Sequence, residues 1–179
     1  MIFLTSDTHF GHNKMFLYEP RGFTNIQEHD TQIIKHWNEI VSYCDDVYHL
    51  GDVMLGDNEY GLKCLKQLNG KIHIICGNHC TDARRALYEN CYNVVEVVDA
   101  KRLKYNRYHF ILCHYPILTS NFDKPWFKTE IALYGHTHQT SNFSDFAPRA
   151  YHVGVDSHDY YPVTIDQVIE DIRVQALNT

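Results

Sequence analysis

The chain has 179 residues, 44% hydrophobic and 21% charged, which suits one globular domain over 1–179 and excludes disordered or collagen-like chains. Sixteen Lys+Arg against 22 Asp+Glu leave a net charge of −6, so no basic surface for nucleic acid is evident. Thirteen histidines stand out from that composition, and beside surplus acid they point to imidazoles and carboxylates gathered around metal ions.

In chain order, the apolar run Met1–Leu4 reads as a buried strand opening into Thr5-Ser6-Asp7. It lacks a basic flank and is too short for a signal peptide. No apolar run approaches the ~18 residues of a membrane span. The expected setting is the cytoplasm, with reduced thiols: Cys44, Cys64, Cys76, Cys80, Cys91 and Cys113 form no C-x-x-C pair. Cys76 and Cys113, in apolar runs, read as small buried hydrophobes.

Thr24-Asn25-Ile26-Gln27 has a capping-box pattern, and Ile26, Ile33, Ile34, Trp37, Ile40 and Val41 then share one helical stripe. A strand over Val47–Leu50 runs into Gly51-Asp52. Leu62, Leu65 and Leu68 mark a second helix, stopped at Asn69-Gly70. Lys71–Cys76 is a strand delivering Gly77-Asn78-His79. Asp82 caps a short helix through Tyr88, and Val94–Val98 is another strand. Arg102–Tyr105 and Tyr108–Cys113 form a hairpin that runs into His114. Ile131–Tyr134 leads into Gly135-His136-Thr137-His138, Tyr151–Val155 is a strand, and Asp166–Leu177 is an amphipathic helix.

Five of these strands end in Asp, Asn or His clusters: Asp7-Thr8-His9, Gly51-Asp52, Gly77-Asn78-His79, His114 and Gly135-His136-Thr137-His138. In α/β sheets ligand sites lie beyond the carboxyl ends of strands. Period-two alternation is expected to aim Asp7 with His9, and His136 with His138, into one site. The mixed donors suit manganese, iron or zinc better than magnesium or calcium, which take mostly oxygen.

Taken in order, these blocks resemble the calcineurin-like metallophosphoesterase superfamily, with D-x-H, G-D, G-N-H, H and G-H-x-H over positions 7–138. Ser6-Asp7-Thr8-His9-Phe10-Gly11-His12 and Val153-Gly154-Val155-Asp156 are similar to its small single-domain bacterial and phage members. The resemblance implies an α/β fold of four layers, an αββα sandwich of two packed mixed sheets flanked by helices, the C-terminal helix covering the outer face of one sheet. It implies a metal-dependent hydrolase with two divalent ions, Mn²⁺ first, with Fe, Zn²⁺ or Ni²⁺ also accommodated. Asp7, His9 and His138 would hold one ion, Asn78, His114 and His136 the other, and Asp52 would bridge them. A hydroxide bridging the pair would attack phosphorus in line. His79 would act with Asp52 in catalysis, donating to phosphate or to the leaving group, while Asn78, His79, His12 and Arg21 are the candidate substrate-binding residues.

His12 also reads as a helix-start residue, and Arg21 and Arg149 as surface charge. Arg84-Arg85 is a weaker anion candidate. His49 reads as a satisfied core histidine, and His29, His36, His73, His109, His152 and His158 as ordinary. Phe10, Tyr60 and Tyr115 could stack on a base, although packing is the simpler explanation. Many relatives carry an acid after G-N-H where this chain has Cys80. The run after Gly51-Asp52 lacks the second acid and the Arg of protein phosphatases, since Leu55 stands where that acid would be. That counts against a protein phosphatase. Few residues remain for caps or long insertions that enclose larger substrates, so the expected substrate is a small phosphodiester, a nucleotide or a nucleic-acid end, with phosphomonoesters second and no membrane partner. Homodimers are common among the small members. The rival reading is a catalytically silent, metal-bound scaffold of the same fold. Such members lose ligands or the G-N-H histidine, whereas all eight positions are present here.

Overall fold

The computed structural model describes residues 1–119, 130–144 and 149–177. In the first sheet β1 (Ile2–Thr5), β2 (Asp46–His49), β3 (Lys71–Ile75) and β4 (Val94–Val98) run parallel. The short β9 (Val163–Thr164) pairs antiparallel with β1, giving the order β4-β3-β2-β1-β9. The second sheet joins the hairpin β5 (Lys101–Tyr105) and β6 (Tyr108–Leu112) to β7 (Glu130–Tyr134) and β8 (Ala150–His152). There β6, β7 and β8 run parallel and the order is β5-β6-β7-β8. Both sheets are mixed.

Alternation along the strands creates the layers. Phe3, Val47, Ile72 and Ile74 face one side of the first sheet and pack with Ile33, Trp37, Leu65 and Tyr88. Those partners belong to α2 (Ile26–Ile40), α3 (Asn58–Leu65) and α4 (Asp82–Glu89), or to the core beneath them. Leu4, Tyr48 and Ile75 face the other side, against Phe110, Leu112, Ile131 and Leu133 of the second sheet. Trp37 is 1% exposed and its indole N–H donates to the Asn69 carbonyl at 2.8 Å, so it ties α2 to the turn before β3. Truncating a buried Trp of this kind costs about 3–5 kcal/mol. The result is two packed mixed sheets flanked by helices.

Several local expectations shift. The N-cap of α2 is Asn25, whose Oδ1 accepts from the Glu28 N–H at 2.9 Å, while the Glu28 carboxylate reaches back to Thr24. Thr81, not Asp82, caps α4. The second helix ends at Leu65, so Leu68 lies beyond it and Gly70 turns with φ of 96°. Strand β8 stops at His152, and Val155–Ser157 forms a 3-10 turn. The four-residue α1 (Met15–Tyr18) and two-residue β9 are too short to give a periodic signal. The C-terminal α5 (Ile165–Leu177) puts Ile165, Val168, Ile169 and Ile172 into the cluster between the sheets, rather than on an outer face. No helix among the described residues is long and apolar enough to cross a membrane.

Candidate metal centre

Strands β1, β2, β3, β6 and β7 all deliver their carboxyl ends to one edge of the sandwich, as parallel pairing requires. The side chains are aimed there by backbone turns rather than by strand alternation. Asp7, His9, Asp52, His136 and His138 have φ of 60°, 50°, 55°, 69° and 50°, all past the ends of their strands. Non-glycine residues in this left-handed region carry strain, milder for Asp and His than for branched residues. Backbone bonds hold the turns: Asp7 N–H donates to Gly51 O at 3.0 Å and His9 N–H to Asp52 O at 2.9 Å. Gly135 lets this backbone pass where a Cβ would collide with Ser6 Oγ and Asp7 Oδ2.

Two groups of donor atoms result. In the first, His9 Nε2 lies 3.2 Å from His138 Nε2 and 3.9 Å from Asp7 Oδ1, which is 4.0 Å from His138 Nε2. In the second, Asn78 Oδ1 lies 2.8 Å from His114 Nε2 and 3.0 Å from His136 Nδ1, and those two nitrogens are 3.2 Å apart. Asp52 Oδ2 stands between the groups, 3.8 Å from His9 Nε2 and 3.5 Å from His114 Nε2. Donors bound to one ion at ordinary bond lengths are about 3–3.5 Å apart, so both groups have roughly the right span.

The protonation pattern also fits a cation. Asp7 Oδ2 accepts from Ser6 Oγ at 2.5 Å and from His136 N–H at 2.9 Å, whereas its Oδ1 is buried with no hydrogen-bond partner. His114 Nδ1 faces the Leu50 carbonyl at 2.8 Å and so carries the proton, leaving Nε2 bare toward Asn78 and Asp52. His138 Nδ1 lies 2.9 Å from Asp156 Oδ2 and 3.1 Å from Arg21 Nη2; the carboxylate is the nearer partner and accepts from the protonated Nδ1, which leaves Nε2 bare. Burial drives the Asp7 carboxyl upward against the pull of His138 and His114. Burial and then His138 hold His9 well below the usual histidine range, and burial and His114 lower His136. Burial also pulls on His138, but the Asp156 bond and Asp7 outweigh it and raise it. A buried carboxylate oxygen without a proton donor, crowded by bare imidazole nitrogens, is relieved by a bound metal ion.

Behind His138 lies a chain of buried polar groups. Arg21 donates to both oxygens of Asp156 at 2.7 Å each, and also to the Asp7 carbonyl at 3.1 Å. Its other guanidinium nitrogen meets His29 Nε2 at 2.8 Å, His29 Nδ1 meets Asp30 at 2.7 Å, and Asp30 accepts from Gly11 N–H at 2.9 Å. Arg21 is therefore neither surface charge nor a free phosphate ligand: its side chain is 3% exposed and committed to Asp156. The reading of His29 as ordinary fails for the same reason, since it braces Arg21. Asp156 lies in the run Val153-Gly154-Val155-Asp156, whose family likeness names no role for the carboxylate. That run was the one signal that could have found it.

The remaining candidates sort by burial. His79 Nε2 is 3.8 Å from Asp52 Oδ2, its side chain 39% exposed, and its backbone N–H donates to Asp52 Oδ1 at 3.1 Å. Arg84 braces this loop by donating to the His79 carbonyl at 2.8 Å. The half-buried His12 has its ring 5.7 Å from that of His9. Burial and then His79 lower its pKa. Phe10 is fully buried core, and Tyr60 packs against the same cluster. Tyr115 is exposed, its ring 4.9 Å from that of His136. His49 is buried and only half satisfied, Nε2 at 3.0 Å from Thr8 Oγ1 and Nδ1 without a partner.

An uncharacterized protein of Methanocaldococcus jannaschii is 34% identical over 182 residues, covering 96% of this chain and 91% of that protein. The Gene 66 protein of a Mycobacterium phage is 29% identical, covering 96% of this chain and 97% of its own length. A crystal structure of a protein of unknown function from Aquifex aeolicus superposes with a TM-score of 0.70 at 21% identity, over 95% of this chain and 98% of that one, which shows a shared fold. The family model of the calcineurin-like phosphoesterase superfamily domain matches residues 1–154, a span that holds every donor atom of the two groups. The chain belongs to the calcineurin-like phosphoesterase superfamily.

Proposed function

We propose that this chain is a dinuclear metal-dependent phosphoesterase that prefers phosphodiesters to phosphomonoesters. The observation that carries the reading is the place of Asp52 Oδ2, within 3.5 Å of His114 Nε2 and 3.8 Å of His9 Nε2, where one carboxylate joins two donor groups. Asp7, His9 and His138 would hold one divalent ion and Asn78, His114 and His136 the other, with Asp52 shared. Manganese is the first choice, and iron, zinc or nickel suit the same donors. When bound, such a pair polarises phosphoryl oxygens and lowers the pKa of water toward about 7.

The chain's own residues divide the remaining work. Asp156 keeps the His138 proton on Nδ1 and its Nε2 lone pair directed inward. Asp7 and Asp52, both buried, put carboxylate charge beneath the centre, while Asn78, His136 and His138 stand on its exposed side. His79, half exposed beside Asp52, is placed to donate to a phosphoryl oxygen or to the leaving oxygen. His12 lies on the rim as a second contact. A cavity of about 300 Å³ opens beside His138 and Asp156, walled by Phe16, Leu17, Thr140 and Tyr160. Its size suits the second substituent of a small diester, a nucleotide or a nucleic-acid end, which a monoester lacks.

Manganese-loaded protein should hydrolyse bis-p-nitrophenyl phosphate faster than p-nitrophenyl phosphate, and His79→Ala should lower the diester rate roughly 100-fold or more. Metal-loaded, folded protein that cleaves neither ester refutes the reading and leaves a metal-bound scaffold.

A further inference from the structure

Cys76 and Cys80 frame the loop Gly77-Asn78-His79, one directly after β3 and the other directly before the α4 cap Thr81. Cys80 N–H donates to Gly77 O at 3.0 Å, which folds the loop into a turn and brings the two sulfurs 2.7 Å apart. Both thiols are half-buried and neither is bridged. A disulfide requires about 2.05 Å between sulfurs, so closure needs a shift of less than about 1 Å. Arg85 Nη1 lies 3.7 Å from Cys76 Sγ and is held in place by Asp99 at 2.9 Å. Cys76 is thus the sulfur with a fixed polar neighbour, and the 2.7 Å pairing sets Cys80 beside it to meet whatever oxidised species forms there. The same loop supplies Asn78 Oδ1 to the second donor group and the His79 N–H to Asp52.

We propose that Cys76 and Cys80 are an oxidation site, forming a reversible intrachain disulfide with a hydroperoxide and closing a ring around Gly77-Asn78-His79. Cys76 Sγ gives up its proton and attacks the peroxide oxygen, the O–O bond breaks, and that proton goes to the departing oxygen, so that Cys76 becomes a sulfenic acid while an alcohol or water leaves. Cys80 then attacks that sulfur, the S–S bond forms, the S–O bond breaks, and a second water leaves with the thiol proton. The sulfur pair gives up two electrons and the peroxide takes them; a dithiol reductant reverses the step. Ring closure draws on the backbone that positions Asn78 and His79, so the oxidised chain turns over substrate more slowly. That consequence rests on the phosphoesterase reading, whereas disulfide formation does not.

The test treats the full chain with hydrogen peroxide, blocks free thiols with N-ethylmaleimide and maps tryptic peptides by mass. Residues 72–84, flanked by Lys71 and ending at Arg84, hold both cysteines on one peptide. After peroxide this peptide should be unalkylated and lighter by two hydrogens, and after dithiothreitol it should take two maleimides. Cys80→Ser should abolish the link and leave a Cys76 sulfenic acid that dimedone captures. A peptide that still takes two maleimides after peroxide has consumed the exposed Cys44, or a Cys80→Ser chain without a dimedone adduct, overturns the proposal. In manganese-loaded protein, diester turnover should fall several-fold on oxidation and return with dithiothreitol, in wild type but not in Cys80→Ser. A disulfide that forms with turnover unchanged overturns the coupling. Absence of turnover in reduced and oxidised protein alike counts against the phosphoesterase reading, and peptide mapping still decides the disulfide.

Discussion

Replacing Asp156 by Asn keeps the shape of the side chain and removes its charge, in the chain of contacts that runs from His138 to Arg21. Burial raises the Asp156 carboxyl, but the His138 bond and Arg21 more than offset it and hold the group below its usual range, so it is ionised at neutral pH. Its Oδ2 accepts from His138 Nδ1 at 2.9 Å and from Arg21 at 2.7 Å. An asparagine amide can accept through one atom only, so its NH₂ faces the guanidinium in either orientation, donor against donor, and in one of them faces the His138 N–H as well. A hydrogen bond to a charged partner contributes about 1.5–3 kcal/mol. Loss of a carboxylate behind a ligating histidine typically costs 10–100-fold in metal affinity, or about 1.4–2.7 kcal/mol. The two figures agree, and the expected result is a 10–100-fold weaker manganese affinity. Arg21, left buried beside a neutral partner, should also lower the melting temperature. The assay is calorimetric titration of metal-stripped protein with Mn²⁺, beside circular dichroism to show that the variant folds. Folded Asp156→Asn with wild-type affinity at both positions would refute the claim that this carboxylate orients His138.

Acid stability follows from His49, which burial holds at about 3 against 6.5 for the free side chain. A depressed histidine binds its proton only in the unfolded chain, so its contribution is complete above about 6.5 and is lost toward 3, at about 1.4 kcal/mol per pH unit. Urea unfolding at pH 7 and pH 5 should differ by about 2 kcal/mol from this group, with His152, also at about 3 through burial and His158, adding to the slope. His49→Gln should flatten the slope; an unchanged slope rules His49 out as its source. Gly51→Ala forces a Cβ to 2.5 Å from His114 Nδ1 at a φ of 95°. It should cost at least about 1–3 kcal/mol in unfolding free energy and weaken manganese binding, and normal binding would contradict the described packing. Asn25→Ala removes the bond to Glu28 N–H and should cost about 1 kcal/mol by chemical denaturation, without altering metal affinity.

The edge on which the donor groups assemble was legible because Phe3-Leu4, Val47-Tyr48, Ile74-Ile75, Ile111-Leu112 and Leu133-Tyr134 are each followed within four residues by Asp, Asn or His. Sequence spacing placed Asp7 beside His9 and His136 beside His138, but for a reason that does not hold: all four residues have left-handed φ and none lies in a strand. The polar chain behind His138 stayed hidden because it joins residues as far apart as Arg21 and Asp156. An arginine in a polar stretch looks like surface charge, and only tertiary packing buries it. Periodicity along α5 identified its apolar face and could not say what that face meets, which is the layer between the sheets. Cys76 and Cys80 gave no signal as a pair, because a turn rather than a conserved spacing brings their sulfurs together.

The central claim is that Asp52 joins two metal ions that together support hydrolysis. Metal-stripped protein titrated with Mn²⁺ during bis-p-nitrophenyl phosphate hydrolysis should show turnover that saturates as the second equivalent binds, with Asp52→Asn losing both binding and turnover. Two bound ions with no hydrolysis, or full hydrolysis with a single ion bound, would contradict it.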